Sequence, residues 1–171
     1  GFGLRDGYED ETFFNSLGMD DNTRLAVYIE QQLDPSSIDD SECDARIAQA
    51  EFITINKSLE QQWVEHKEAS NVSNTWRNLS IREAERLTVM RAVYSRRQLQ
   101  EVLADFWHNH FNTDANMEQV RTIYLDYDQT VIRPNIFGNF RQMLEAVGKS
   151  TPMLYYLDNY SNTRGGPNEN Y

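Results

Sequence analysis

Two consecutive stretches decide the fold: Ser80-Ile81-Arg82-Glu83-Ala84-Glu85-Arg86-Leu87-Thr88-Val89-Met90-Arg91-Ala92-Val93-Tyr94, then Ser95-Arg96-Arg97-Gln98-Leu99-Gln100-Glu101-Val102-Leu103-Ala104-Asp105-Phe106-Trp107-His108. Ser80 followed three residues later by Glu83 is a capping-box pattern. Ala84, Leu87, Met90 and Tyr94 then recur at helical spacing. In the second stretch Leu99, Val102, Leu103 and Phe106 fall on one face of a helix. Two such segments joined by a short polar break predict a helical hairpin.

Working outward, the remaining sequence also reads as helix and loop, with no convincing alternating strand. Residues 1–22 are rich in Gly, Asp and Asn and predict an irregular lead-in. Asn22 or Thr23 is placed to cap a helix that exposes Leu25, Tyr28, Ile29 and Leu33 on one face and stops at Asp34-Pro35. A short helix is expected from Asp39-Asp40 to about Ala50, and a third pattern over 51–68 aligns Leu59, Trp63 and His66. The Ser- and Asn-dense stretch 69–78 predicts a loop. Further helices are expected over about 117–127, over 135–147 after the break at Pro134, and from Thr151-Pro152 to near Asn159. Residues 161–171 read as loop. The fold class is therefore all-α, an irregular multi-helix bundle over residues 23–171.

Composition limits the functions available. The 171 residues are 39% hydrophobic and 12% aromatic, enough for a real core despite a net charge of −11. A pI near 4.6 argues against nucleic acid, whose phosphates need clustered Lys and Arg. The lone cysteine, Cys43, excludes an internal disulfide framework and a cysteine-rich zinc site. No apolar run is long enough to span a bilayer or to form a signal-peptide core. There is no phosphate-binding glycine loop, no Gly-x-Ser-x-Gly elbow and no Cys–His nucleophile pair.

The unusual chemistry lies at Asp105-Phe106-Trp107-His108-Asn109-His110-Phe111-Asn112, which holds two of the three histidines. Residues two apart on a helix point about 200° from one another, so His108 and His110 could share a divalent metal only if the helix ended before about Trp107. If the helix continues, His110 joins the Leu99/Val102/Leu103/Phe106 face and His108 points away. One histidine would then be buried with a partner and the other solvated. Asp105, Asp114, Asp126, Asp128, Glu145 and Glu169 are the carboxylates that folding could add to a site. Tyr124, Tyr127, Tyr155, Tyr156 and Tyr160 could line a polar pocket. Arg133 could grip a carboxylate or another anion with its fork, or form a structural salt bridge.

Several ordered blocks carry a resemblance. The stretch from Ala92 to Asn112, then Tyr127-Asp128 with Val131-Ile132-Arg133-Pro134 and Gly138-Asn139-Phe140, then Lys149-Ser150 with Met153-Leu154-Tyr155-Tyr156-Leu157-Asp158-Asn159, and Asn168-Glu169-Asn170-Tyr171, resemble the bacterial domain of unknown function 1800 family. Gly1-Phe2-Gly3 and Gln31-Gln32-Leu33-Asp34-Pro35 are similar to its opening and its early helix end. Members are longer, so the resemblance implies a fragment: the N-terminal part of a single helical domain, with any site that uses later Glu and His residues incomplete. It also implies a periplasmic or extracellular location. Two functions follow as expectations. One is an exported metal- or cofactor-dependent enzyme, with His108 and His110 as metal ligands or acid/base groups and Arg133 and Glu169 near a cofactor. The other is a helical module of an envelope or extracellular assembly, with an envelope protein as its partner.

Overall fold

The computed structural model describes residues 8–166 and 168, and these fold as ten α-helices joined by 3₁₀ and π-helical turns. The helices are α1 (Tyr8–Ser16), α2 (Asp21–Leu33), α3 (Ser41–Gln49), α4 (Leu59–Gln62), α5 (Asn74–Arg77), α6 (Leu79–Tyr94), α7 (Gln98–Phe111), α8 (Glu118–Asp126), α9 (Phe140–Gly148) and α10 (Thr151–Tyr156). Among the described residues no β-strand forms, and the one β-bridge pairs Thr163 with Gly166. The all-α expectation holds.

Most departures from the sequence reading have a local physical cause. α1 lies inside the stretch expected to be irregular, where Phe14 meets Tyr28 of α2 edge to face at 6.1 Å. α2 starts one turn earlier than expected, because Asp20 accepts the Thr23 amide at 3.0 Å. α5 occupies part of the expected loop, capped by Ser73. The 135–147 helix begins only at Phe140, where Asn139 accepts the Arg141 amide. Pro134 instead sits in a 3₁₀ turn, Arg133–Asn135. α10 starts at Thr151 with Pro152 in its first turn, as expected, but it is capped by Ser150 and ends at Tyr156 rather than near Asn159.

Ser80 and Glu83 do not form a capping box, since both lie inside α6. The capping box belongs to Ser58 and Gln61 at the start of α4. Ser80 donates to Gln62 Oε1 at 3.0 Å. The Glu83 carboxylate accepts the amides of Ile53 and Thr54 and the Thr54 hydroxyl at 2.5–2.8 Å. A buried carboxylate with three donors has its hydrogen bonds satisfied, so it clamps the 52–57 turn to α6.

α6 packs most extensively on α8 and meets α7 more lightly, so the expected hairpin is splayed rather than close. Two apolar clusters form on either side of the gap. Ala84, Leu87 and Leu125 gather Ile47, Phe52 and Ile55. Tyr127, Ile132, Ile136, Met143, Val147 and Met153 gather Leu103, Trp107 and Phe111. Tyr124 packs against both clusters.

Candidate functional site

The gap between α6 and α7 is a cavity of about 100 Å³ lined by Ala84, Thr88, Glu101, Ala104, Asp105, His108, Tyr124, Asp128 and Arg133. Glu101, Ala104, Asp105 and His108 recur at helical spacing, so one face of α7 supplies one wall. The opposite reading of α7 is corrected here. Val102 is 37% and Phe106 51% exposed, whereas Glu101 and Ala104 are buried. Glu101 and His108 turn inward because they find partners, and pairing removes most of the penalty that would otherwise keep a buried charge at the surface.

Those partners come from a π-helical turn, Tyr127–Ile132, that continues α8. On an α-helix, residues five apart point about 140° from one another, whereas π-helical i→i+5 geometry stacks them. The turn therefore brings Arg133 Nε to 2.8 Å from Asp128 Oδ2. The second π-helical turn, Trp63–Glu68, makes the same kind of pair, with Trp63 Nε1 donating to Glu68 Oε1 at 2.8 Å. The two terminal nitrogens of Arg133 donate to the two Glu101 oxygens at 2.9 and 2.8 Å. Arg91 of α6 adds a longer bond to Asp128 at 3.3 Å. Two buried carboxylates thus face two guanidinium groups, and the charges cancel.

His108 joins this network through both ring nitrogens. Nε2 lies 2.9 Å from Asp128 Oδ1, and Nδ1 lies 2.9 Å from the Tyr124 hydroxyl. Burial works to raise the Asp128 carboxyl, but the His108 hydrogen bond and the Arg133 charge overcome it and hold the group down at about 2. An ionised Asp128 can only accept, so Nε2 carries a proton, and in the neutral ring Nδ1 accepts from Tyr124. Burial, with Asp128 as a second cause, pushes the Tyr124 phenol well above its ordinary value, which keeps it protonated as that donor. The result is a Tyr124–His108–Asp128 relay at the cavity wall.

His110 is not part of it. α7 runs through Phe111 and ends at Asn112, which takes the left-handed conformation (φ 47°). The condition for a shared metal ion is therefore not met: the His110 ring stacks on Phe106 at 5.8 Å, on a different side of the helix from His108. The residues present do not fit a bound metal, for among the described residues no three His, Cys, Asp or Glu side chains converge to hold one. The expectation for the continuing helix is reversed in detail, because His108 is the partnered ring and His110 the exposed one. Arg133 is locked in a salt bridge rather than open to a cofactor. Glu169 lies outside the described residues.

Glu101 and Thr88 escaped the sequence reading. The i, i+4, i+7 spacing of Glu101, Asp105 and His108 was available as a signal, but the apolar residues between them mask it. Cys43 is buried, and burial pushes its thiol up to about 11. No helix is long and apolar enough to cross a membrane. A family described as protein of unknown function (DUF1800) matches residues 1–171. No curated protein and no solved structure matches the chain.

Proposed function

The chain belongs to the DUF1800 family, and from that premise and the cavity we propose that it carries an acid–base catalytic site in which His108, oriented by Asp128, moves protons through Tyr124. The observation that supports this reading is the pair of 2.9 Å contacts to the two nitrogens of one imidazole at the wall of a cavity. An ionised partner on one nitrogen raises the basicity of the other and fixes the tautomer. A substrate proton taken up by the Tyr124 oxygen is matched by transfer of the phenolic proton to His108 Nδ1, leaving an imidazolium that faces Asp128. A histidine–carboxylate–tyrosine chain lined up beside a cavity is the arrangement expected of general acid–base chemistry.

The test is a screen of hydrolytic and proton-transfer reactions with the protein and with its His108→Gln and Tyr124→Phe variants. Removal of a positioned acid–base group costs on the order of 10²–10⁴-fold in rate. A reaction that falls by that factor in both variants, while their unfolding midpoints remain cooperative, supports the site. Turnover that survives both substitutions overturns it. We place this enzyme in the periplasm or outside the cell on the family resemblance, and recovery of the native protein in the cytosolic fraction would contradict that placement.

A second reading, a helical interaction module, is favoured by one observation. Phe106 of α7 and Phe140 of α9 are each 51% exposed, and both ring systems touch Trp107. Leu144 and Val102 extend the apolar surface. Stoichiometric copurification that is abolished by Phe106→Ser would support a module, whereas a monomeric protein with no partner would remove it.

A further inference from the structure

We propose that the cavity takes the protonated primary amine end of a small organic cation, held by Asp105, Tyr124 and Thr88. This rests on the acid–base reading of the same cavity and adds the class of its substrate.

Both His108 nitrogens are engaged by Asp128 and Tyr124. Three nitrogens of Arg133 are committed to Glu101 and Asp128, so its charge is neutralised from both sides. Three of the five Arg133 N–H groups and the His108 N–H are therefore used inside the protein. The acceptors of the lining keep more unused capacity. The Tyr124 hydroxyl gives its proton to His108, which leaves its oxygen lone pairs to accept. Thr88, which also lines the cavity, gives its Oγ1 proton to the Ala84 carbonyl at 2.9 Å and so keeps its lone pairs to accept. Asp105 is exposed at the rim, and among the described residues no hydrogen-bond donor reaches its carboxylate.

Charge points the same way. The lining holds three carboxylates, Glu101, Asp105 and Asp128, against one guanidinium, Arg133. Arg91 behind Asp128 offsets one more, which leaves the carboxylate of Asp105 as the uncompensated charge. An anion would meet acceptors and a negative field. A primary ammonium has three donors and no acceptor, and so matches three acceptors beside one negative charge. A cavity of about 100 Å³ admits such a head group with little else.

The experiment is a titration of the full protein with methylammonium chloride, following backbone amide signals of Thr88, Asp105 and His108 by two-dimensional NMR. Potassium chloride, ethylene glycol and sodium acetate serve as matched controls. The expected result is saturable shifts at these three residues with methylammonium alone, with affinity at least ten-fold weaker in Asp105→Asn. Asp105 is exposed, so that variant keeps the fold, and its amide spectrum verifies this. Equal response to acetate, glycol or potassium overturns the assignment, as does no saturable response or an affinity unchanged in Asp105→Asn. Binding is read without turnover, so a failure here with a His108-dependent reaction on a neutral substrate would reject the ammonium class and leave the acid–base site standing.

Discussion

Replacing Arg133 with methionine is expected to destabilise the protein by about 3–5 kcal/mol, the range for removing one partner of a buried ion pair. The substitution keeps volume but strands the carboxylates of Glu101 and Asp128, whose side chains are 6% and 10% exposed. Asp128 retains His108 and the longer Arg91 contact, whereas Glu101 loses both of its hydrogen bonds to the guanidinium. Lysine at 133 should recover little, because one ammonium cannot reproduce a fork bonded to Glu101 together with a third bond to Asp128. The double variant Arg133→Met with Glu101→Leu should recover more than half of the loss, since the worst stranded charge goes with its partner. Urea unfolding measures all four proteins. A single-variant cost below about 1 kcal/mol would mean that the network is solvated and does not organise the cavity.

How this network follows from the chain shows what sequence alone can carry. Periodicity located most helices, because apolar spacing records which positions face a core regardless of what the core contains. It misjudged α7, where Leu99, Val102 and Phe106 suggested the buried side while Glu101 and Ala104 are the buried residues. That inversion is decided by Asp128 and Arg133, more than twenty residues away, and no local pattern encodes it. The π-helical turn that aligns those two residues has no distinct sequence signal either, since Tyr127-Asp128-Gln129-Thr130-Val131-Ile132 fits an α-helix equally well. His108 was legible as unusual, and the 200° separation from His110 was legible as an obstacle to shared chelation. Its partners were not, for Tyr124 and Asp128 were two among many tyrosines and carboxylates. Capping followed the same rule. The helix start at Thr151-Pro152 was readable because its signal is local, while Ser80 and Glu83 have capping-box spacing and serve tertiary contacts instead.

The same carboxylate sets the expected response to acid. Asp128 faces His108 from α7, Arg91 from α6 and Arg133 from its own turn, with Glu101 and Tyr124 beyond them. Burial opposes its ionisation, yet the hydrogen bonds and positive charges hold the folded-state carboxyl at about 2, against 3.8 for the unfolded chain. A depressed folded value means that the folded state binds this proton less readily than the unfolded one, so the stabilisation is complete above pH ~4 and drains away as pH falls toward 2. The gap corresponds to roughly 2 kcal/mol. Asp126, raised mainly by its own burial, acts with the opposite sign, which is why total stability is a poor readout of Asp128 alone. The difference between the protein and its Asp128→Asn variant isolates it. That difference should narrow by roughly 2 kcal/mol between pH 4 and 2 in chemical-denaturant titrations. A difference that stays constant down to pH 2 would mean that folding leaves the Asp128 carboxyl at its unfolded value. The His108 hydrogen bond would then contribute nothing to holding that carboxylate, and the relay to Tyr124 would lose the partner that fixes its tautomer.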